Sequence, residues 1–468
     1  MQVPLTAALL SSLAAGCLAT APPIVPGPLD SEGEVYLEAQ PLPSESARLA
    51  FRIESIAALR HDGEETPLKV VRASISGADL KERRLLAFGR LEPGGYTGFS
   101  IKISKATLSG SAGASDLLIP AEPTRLEAPF TVERRHATVL HLSFDSPASM
   151  EKDFGFAPVF HAAVARKPLA QLSGWCSNGA LHGLTVFDKR EHALSAVLPT
   201  GRSPWGIAYD PVEGRLYVAL EGEDEVQVFD AIALEEVGRI RLQPADGPRE
   251  IVLTPDRRLL IVANGRSNTV SFVDPAALLE VARVQVGEAP TSLLLDRTGA
   301  RVYVFNARST FISIVDVANR AVAGTIATEY GPVRGQLNRA GNRLYLVASS
   351  SSYLTAIALP TQAQAGRIYV GLGTTAIKVD PSTDLLYVAQ AGANRLSVFD
   401  PFSLLPVDHI DIPGDASYLA IDDAENALFV LVPDKRTVAV IGLASKRRLA
   451  EIDVGFEPRV LALAGERF

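Results

Sequence analysis

Residues 204–243 read PWGIAYDPVEGRLYVALEGEDEVQVFDAIALEEVGRIRLQ, which is four short apolar runs separated by turns. The second run, Arg215 to Leu220, is rich in residues that favour β-structure, and Asp210-Pro211 and Glu213-Gly214 precede it. Short runs of this kind between Gly, Pro and Asp clusters predict antiparallel strands. No run keeps an apolar period of 3.6 residues, so we expect no helix here.

This four-strand unit recurs along the second half of the chain. Two markers advance together in steps of 42 residues, broken once by the same step of 44; they are Trp175, Tyr217, Ile261, Tyr303, Tyr345, Tyr387 and Phe429, and Asp188, Asp230, Asp274, Asp316, Ala358, Asp400 and Gly442. Repeats of this length with four strands each are typical of propeller blades, which bury their faces only by stacking on neighbours. The fold class predicted is therefore all-β with a seven-bladed β-propeller.

The seventh blade has to be assembled from both ends of the propeller. Pro458 opens a last repeat, but only one strand follows it. Three unassigned strand-like runs precede the first full repeat, at Leu169 to Cys176, Leu184 to Asp188 and Leu194 to Leu198. Because an open ring leaves two unpaired strand edges, we expect Val460 to Leu463 to pair with these N-terminal strands.

The composition narrows the possible functions. The chain has 468 residues and a formal net charge of −8, which disfavours nucleic acid as a partner. Its two cysteines cannot form a disulfide framework, and none of its seven histidines is spaced like a pair of metal ligands. No cofactor and no metal site is predicted.

The N-terminus has the features of an export signal. Residues 1–16 carry no charge, and they end in Leu13-Ala14-Ala15-Gly16 before Cys17. Small residues before a cysteine resemble the lipobox of bacterial lipoproteins, which implies cleavage before Cys17 and a lipid anchor on its thiol. Leu18 is not the aspartate that resembles an inner-membrane retention signal, so the resemblance implies the outer membrane of the cell envelope. The alternative is an ordinary cleaved signal with a chance cysteine.

Three further regions follow the signal. Residues 17–33 are rich in proline and predict a semi-rigid tether. Residues 34–146 alternate apolar and polar residues, as in Phe99 to Ile103, and predict a β-sandwich domain. The stretch Leu91 to Ile103 resembles a family of uncharacterised sandwich domains of bacterial lipoproteins. Residues 147–160 are predicted as a junction and 161–468 as the propeller.

Four tetrapeptides of the repeat carry a second resemblance; they are Tyr217-Val218-Ala219-Leu220, Ile261-Val262-Ala263-Asn264, Tyr303-Val304-Phe305-Asn306 and Tyr387-Val388-Ala389-Gln390. They resemble the Tyr-Val-Thr-Asn (YVTN) repeat propellers of bacteria and archaea. The resemblance covers about residues 169–468 and implies an exported or surface protein. It implies no particular activity.

The most promising site lies where the innermost strands begin, since loops at one end of each blade converge on the central channel. This ring supplies six candidate ligand-binding residues, namely Trp205, Arg249, Glu250, Arg334, Tyr418 and Arg459. The arginines suit a carboxylate or phosphate, and the aromatic residues suit stacking. The alternative is that the arginines lie on a solvated rim or pair with Glu250.

Other reactive groups have simpler interpretations. Glu221, Glu223 and Asp224 share one loop, which is predicted as a solvated acidic turn and not a cation site. Cys176 follows Trp175 on a predicted strand, so a buried thiol is expected and not a nucleophile.

Two functions remain open. The first is a lipid-anchored binding or scaffold protein of the cell envelope, held to the membrane through Cys17, which presents the propeller to an envelope protein or a small-molecule ligand. The second is an envelope enzyme, lactonase-like or dehydrogenase-associated, with its site at the channel mouth. No catalytic constellation in the sequence commits the chain to the second.

Overall fold

The computed structural model describes residues 27–111, 113–150 and 154–466. The predicted signal peptide, Cys17 and most of the tether lie outside the described residues. The described chain is all-β; its short helices include the α-helix Ser146–Ser149 and the 3-10 turns Ser44–Ser46 and Ala170–Leu172.

Six blades of the propeller are continuous in sequence, and each is an antiparallel sheet whose strands follow in order from the channel outward. Blade one comprises β14 Pro204–Asp210, β15 Arg215–Leu220, β16 Glu225–Asp230 and β17 Glu235–Arg241. Blade two comprises β18 Pro248–Leu253, β19 Leu260–Asn264, β20 Thr269–Asp274 and β21 Leu279–Gln285. Blade three comprises β22 Pro290–Leu295, β23 Arg301–Asn306, β24 Phe311–Asp316 and β25 Ala321–Ala327. Blade four comprises β26 Pro332–Leu337, β27 Arg343–Ala348, β28 Tyr353–Ala358 and β29 Ala363–Tyr369. Blade five comprises β30 Thr374–Val379, β31 Leu386–Gln390, β32 Arg395–Phe399 and β33 Pro406–Asp411. Blade six comprises β34 Tyr418–Asp422, β35 Ala427–Val432, β36 Thr437–Gly442 and β37 Arg448–Asp453.

The seventh blade joins both ends of the propeller, as predicted. Its innermost strand is β38 Pro458–Leu463, which pairs antiparallel with β11 Ser173–Asn178; β12 Gly183–Asp188 and β13 Ala193–Pro199 complete the sheet. The Lys189 ammonium, itself 2% exposed, donates to the Asp422 carboxylate of blade six and to the Ala464 carbonyl. The closure thus combines a strand pairing with a buried ion pair.

The repeat markers have structural roles that explain their period. The tyrosine marker is buried between blades, as at Tyr217, Tyr345 and Tyr387, each 1% exposed. The aspartate marker ends the third strand: Asp230 accepts hydrogen bonds from the backbone N–H groups of Ile232 and Ala233 at 2.8 and 2.7 Å. An aspartate can close a turn in this way because its side chain reaches the backbone two residues on.

Asparagine at the end of the second strand links it to the third. The Asn264 amide donates to Thr269 Oγ1 at 2.9 Å and to Ser271 Oγ at 2.7 Å. Asn306 and Asn178 make the corresponding bonds to Ser313 and Thr185. Because all three asparagines are at most 1% exposed, an apolar replacement would leave buried hydroxyls without these partners.

The N-terminal region is one curled, half-barrel sheet. Its strands are β1 Gly33–Ala39, β2 Leu49–Arg60, β3 Glu65–Val70, β4 Ser74–Ser76, β5 Arg84–Leu91, β6 Gly94–Gly110, β7 Gly113–Asp116, β8 Thr124–Val132, β9 Ala137–Asp145 and β10 Val159–Val164. The predicted sandwich is not confirmed, because β3 pairs with both β2 and β5 and so joins two sets of strands into one sheet. The last strand, β10, runs past the predicted boundary at residue 161.

The half-barrel packs on blades six and seven. Arg84 forms an ion pair with Glu451 at 2.9 Å, and the Leu85 N–H donates to the Asp453 carboxylate at 2.6 Å. The buried Glu38 accepts the Leu194 N–H at 2.9 Å. An apolar cluster lies beside these contacts and includes Tyr36, Leu85, Phe88, Val139, Leu194, Val197 and Phe456.

Candidate functional site

The channel mouth brings three of the predicted residues together. Trp205 lies on β14, whose neighbours are β18 and β38, the inner strands of the flanking blades. The guanidinium carbons of Arg249 and Arg459 lie 4.9 and 4.2 Å from the centroid of the Trp205 ring. Gly206 permits this approach, since a Cβ there would lie 2.2 Å from the Arg249 carbonyl oxygen. The inner strands therefore hold one aromatic ring in contact with two cations.

Glu221 fixes the two arginines. Its Oε1 accepts from Nε and Nη2 of Arg249 at 3.1 and 2.9 Å, and its Oε2 lies 3.6 Å from Nη1 of Arg459. The Glu221 side chain is only 12% exposed. Two exposed groups complete the rim: Glu457 pairs with Arg459 at 3.2 Å, and Arg266 lies 4.0 Å from Glu221.

The predicted solvated acidic turn is therefore wrong. Besides Glu221, Glu223 pairs with Arg239 at 3.1 Å, and Asp224 accepts the N–H groups of Ala245 and Gly247. The sequence did contain a signal for Glu221, since it directly follows the second strand, which ends at the mouth.

A second group spans the channel itself. Arg334 on β26 donates to Glu250 on β18 through two bonds of 3.3 and 3.4 Å, and its guanidinium lies 4.6 Å from the Tyr418 ring centroid. These residues belong to blades two, four and six, so the contacts cross the channel. Pairing with Glu250, the alternative considered for the arginines, applies to Arg334 but not to Arg249 or Arg459.

The group around Trp205 at the rim and the deeper group of Glu250, Arg334 and Tyr418 differ in net charge. Burial opposes protonation of Arg334, but the Glu250 charge and Tyr418 outweigh it and raise the pKa of Arg334. Burial, together with the charge of Glu250, raises the pKa of Tyr418 despite the nearby Arg334. The deeper group is therefore neutral, with one arginine against one glutamate. The rim has Arg249, Arg459 and Arg266 against Glu221 and Glu457, which leaves one net positive charge.

Hydrogen-bonding groups at the mouth are left without partners in the described part of the chain. Nη1 of Arg459 and the hydroxyls of Ser417 and Thr374 are buried and make no hydrogen bond there. Buried polar groups usually have a partner, so each such group needs an explanation. Because these three atoms are shielded from solvent, they are not themselves contact points for a ligand at the mouth.

Other reactive groups play no part in this site. Cys176 is fully buried, as predicted, and burial raises the pKa of its thiol. His182 accepts the Ser203 N–H at 3.2 Å, and burial lowers its pKa. Within the described ranges, no group of three or more His, Cys, Asp or Glu side chains is placed to hold a metal ion. None of the helices described there is long and apolar enough to cross a membrane.

Comparison with known proteins places the propeller among described folds. A family model described as "Lactonase, 7-bladed beta-propeller" matches residues 188–324, which run from the end of β12 to blade three. The protein contains a seven-bladed β-propeller. No curated protein matches the chain.

Solved structures of similar fold are distant in sequence. Dihydro-haem d1 dehydrogenase NirN, solved in complex with DHE, is 12% identical with a TM-score of 0.51, over 64% of this chain and 76% of that one. Hydrazine synthase from Kuenenia stuttgartiensis is 18% identical with a TM-score of 0.49, over 54% of this chain and 87% of that one. At these identities the likeness concerns the fold alone.

Proposed function

We propose that this protein is an exported, lipid-anchored binding protein of the cell envelope whose propeller holds a carboxylate- or phosphate-bearing ligand at the channel mouth. The observation that carries the proposal is the placement of Arg249 and Arg459 over Trp205, with Glu221 between them. Export and anchoring rest on residues 1–16 and Cys17 of the sequence.

The geometry of the arginines supports an anionic ligand. Glu221 uses the Nε and Nη2 groups of Arg249 and leaves Nη1 free to donate. Arg459 adds its positive charge to the site, while its Nη1 is shielded from solvent beside Glu221. A planar guanidinium suits carboxylate and phosphate oxygens, and the net positive charge of the rim attracts them.

Fixed side chains also lower the cost of binding. Each arginine is held by an ion pair and an aromatic ring, so little side-chain freedom is lost when a ligand binds. Arg249 is 31% and Arg459 15% exposed, so Arg249 is the more accessible of the two side chains.

The proposal predicts anion binding that depends on these two arginines. We would measure thermal stabilisation of the full chain by acetate, succinate, citrate and inorganic phosphate. At least one anion should raise the Tm, and the double variant Arg249→Gln, Arg459→Gln should lose that shift. The matched control is Arg308→Gln, an exposed arginine on the same face of the propeller. A shift of equal size in the double variant, or no shift with any anion, would count against the proposal.

A lactone-hydrolysing enzyme is the second candidate, favoured by the family match over residues 188–324. That range contains Trp205, Glu221, Arg249 and Glu250. The ring-opening of a lactone releases a proton, which a pH indicator detects. Turnover across a lactone panel that Glu250→Gln abolishes and Arg308→Gln preserves would favour the enzyme.

A further inference from the structure

Blade four departs from the other blades on one exposed face. In β28 and β29 the cross-strand partners are Tyr353 with Tyr369, Thr355 with Arg367, and Ile357 with Gln364. Alternate residues of a strand share a face, so the first two pairs form one stripe. The third pair lies beyond a β-bulge, and its Ile357 is buried, with 3% exposure. Tyr353 is 38% and Tyr369 69% exposed.

The aromatic pair is specific to this blade. The positions that Tyr353 and Tyr369 occupy are filled elsewhere by the pairs Gly183 and Pro199, Glu225 and Arg241, Thr269 and Gln285, Phe311 and Ala327, Arg395 and Asp411, and Thr437 and Asp453. Since the other blades fold without two aromatic residues here, the fold does not require them. Exposed neighbouring aromatic rings are characteristic of binding surfaces.

A groove between blades three and four adjoins this face through Thr355, and the two tyrosine rings lie outside its lining. Tyr353 and Tyr369 pack edge to face with their centroids 5.5 Å apart, and the Arg367 guanidinium lies 4.1 Å from the Tyr353 centroid. The groove encloses about 210 Å³ and is lined by Thr328, Glu329, Thr355, Ile357 and Gln364, among others. Drug-sized ligands occupy pockets of roughly 300–1,000 Å³, so this groove suits a unit the size of one sugar ring.

The charges in the groove cancel. Arg367 pairs with Glu329 from the connection that leaves blade three. In blades one and two the equivalent Arg239 and Arg283 pair with a glutamate of their own strand, Glu236 and Glu280, where blade four has the neutral Gln364. A charged ligand therefore gains little here, whereas hydroxyl groups can bond to an amide, two threonine hydroxyls, a guanidinium and a carboxylate.

We infer that this face of blade four binds a neutral oligosaccharide, with the hydroxyls of one sugar ring on Gln364, Thr355 and the Glu329–Arg367 pair in the groove, and with the adjoining ring against Tyr353 and Tyr369. Tyrosine suits this role because its ring is apolar on its faces and polar at its tip. The site lies on the outer strands of blade four and shares no residue with the channel mouth.

The test uses the full chain and defined probes. Maltotetraose, cellotetraose, xylotetraose and chitotetraose would be titrated by calorimetry and by saturation-transfer NMR. At least one should bind, and the double variant Tyr353→Ser, Tyr369→Ser should bind it about tenfold more weakly, given what aromatic contacts contribute. Both side chains are exposed, so the Tm of this variant should stay near that of the wild type.

Two controls make the result decisive. Phe402→Ser removes an aromatic ring that is 84% exposed on blade five and should leave the affinity unchanged. Arg249→Gln with Arg459→Gln, at the channel mouth, should also leave it unchanged. Failure of all four neutral probes, an unaltered affinity in the tyrosine variant, or binding of only acidic oligosaccharides or peptides to this face would overturn the inference.

Discussion

Glu250 and Arg334 face each other across the central channel, joined by two N–H···O bonds of 3.3 and 3.4 Å. The side chains are 10% and 20% exposed, so each charge depends on the other. Removal of one partner leaves a charge that is poorly solvated, and losses of about 3 kcal/mol are usual for such pairs.

We therefore expect Arg334→Met to lower the free energy of unfolding by about 3 kcal/mol. Urea unfolding followed by fluorescence measures this. The double variant Arg334→Met, Glu250→Leu removes both charges and should recover most of the loss. A single variant as stable as the wild type would show that water in the channel solvates the remaining carboxylate.

The closure of the ring makes a second prediction, at Lys189. Its partner Asp422 is fully buried, so Lys189→Met should cost about 3–5 kcal/mol. The control is Lys435→Met, which breaks an exposed pair with Asp434 and should cost less than about 1 kcal/mol. Equal Tm values for the two variants would contradict a role of Lys189 in closure.

Deletion of residues 458–468 exposes the edge of β11 and should yield aggregated protein in size-exclusion chromatography.

The interface between half-barrel and propeller should respond to pH. Burial raises the pKa of Glu38 to about 7, against the Leu194 N–H and Arg83, which lower it. Between the ordinary pKa of 4.5 and about 7 the folded protein keeps a proton that the unfolded chain has lost, so stability falls as pH rises through this window. Burial also raises the pKa of Asp453, in the same direction. Burial lowers the pKa of His141 below its ordinary value of 6.5. Below that pH the unfolded chain binds a proton that the folded protein binds less readily, so this histidine makes the stability rise with pH.

Glu38→Gln removes the first of these contributions, together with the charge that faces His141 at 3.2 Å and Arg83 at 3.7 Å. The amide oxygen can still accept the Leu194 N–H, but it carries no charge to bury. The variant should exceed the wild type in stability above pH 7 by an amount on the order of 2 kcal/mol. The difference should shrink as pH falls toward 4.5, where Glu38 is protonated in both states. Parallel stability curves from pH 4.5 to 8 would refute this.

The sequence predicted the propeller well because a blade is a local unit. The four strands of each full blade lie within about forty residues, and their markers recur with a visible period. Closure followed from counting strands, and Val460 to Leu463 pair as expected. The half-barrel was not predicted because β3 pairs with both β2 and β5, and this region has no sequence repeat that would indicate these pairings.

The residues of the candidate sites could likewise be predicted only where they follow the repeat. Trp205, Arg249 and Arg459 occupy one equivalent position of the repeat, so the sequence could place them in one ring. Glu221 comes from a different loop and reaches Arg459 only in the closed ring, so its partners were not evident. The Tyr353 and Tyr369 pair depends on the register between the third and fourth strands of one blade, which the repeat period does not indicate.

The asparagine at the end of the second strand supports the last prediction. Asn264 is fully buried and donates to both Thr269 and Ser271. Asn264→Ala should lower the free energy of unfolding by about 2 kcal/mol, because two hydroxyls of blade two lose their donor. Asn319→Ala, at an exposed position in blade three, should change it by less than about 0.5 kcal/mol. Chemical denaturation measures both. If the two variants were equally stable, the asparagine of the tetrapeptide would be dispensable for joining strands two and three, and its recurrence at Asn178 and Asn306 would need another cause.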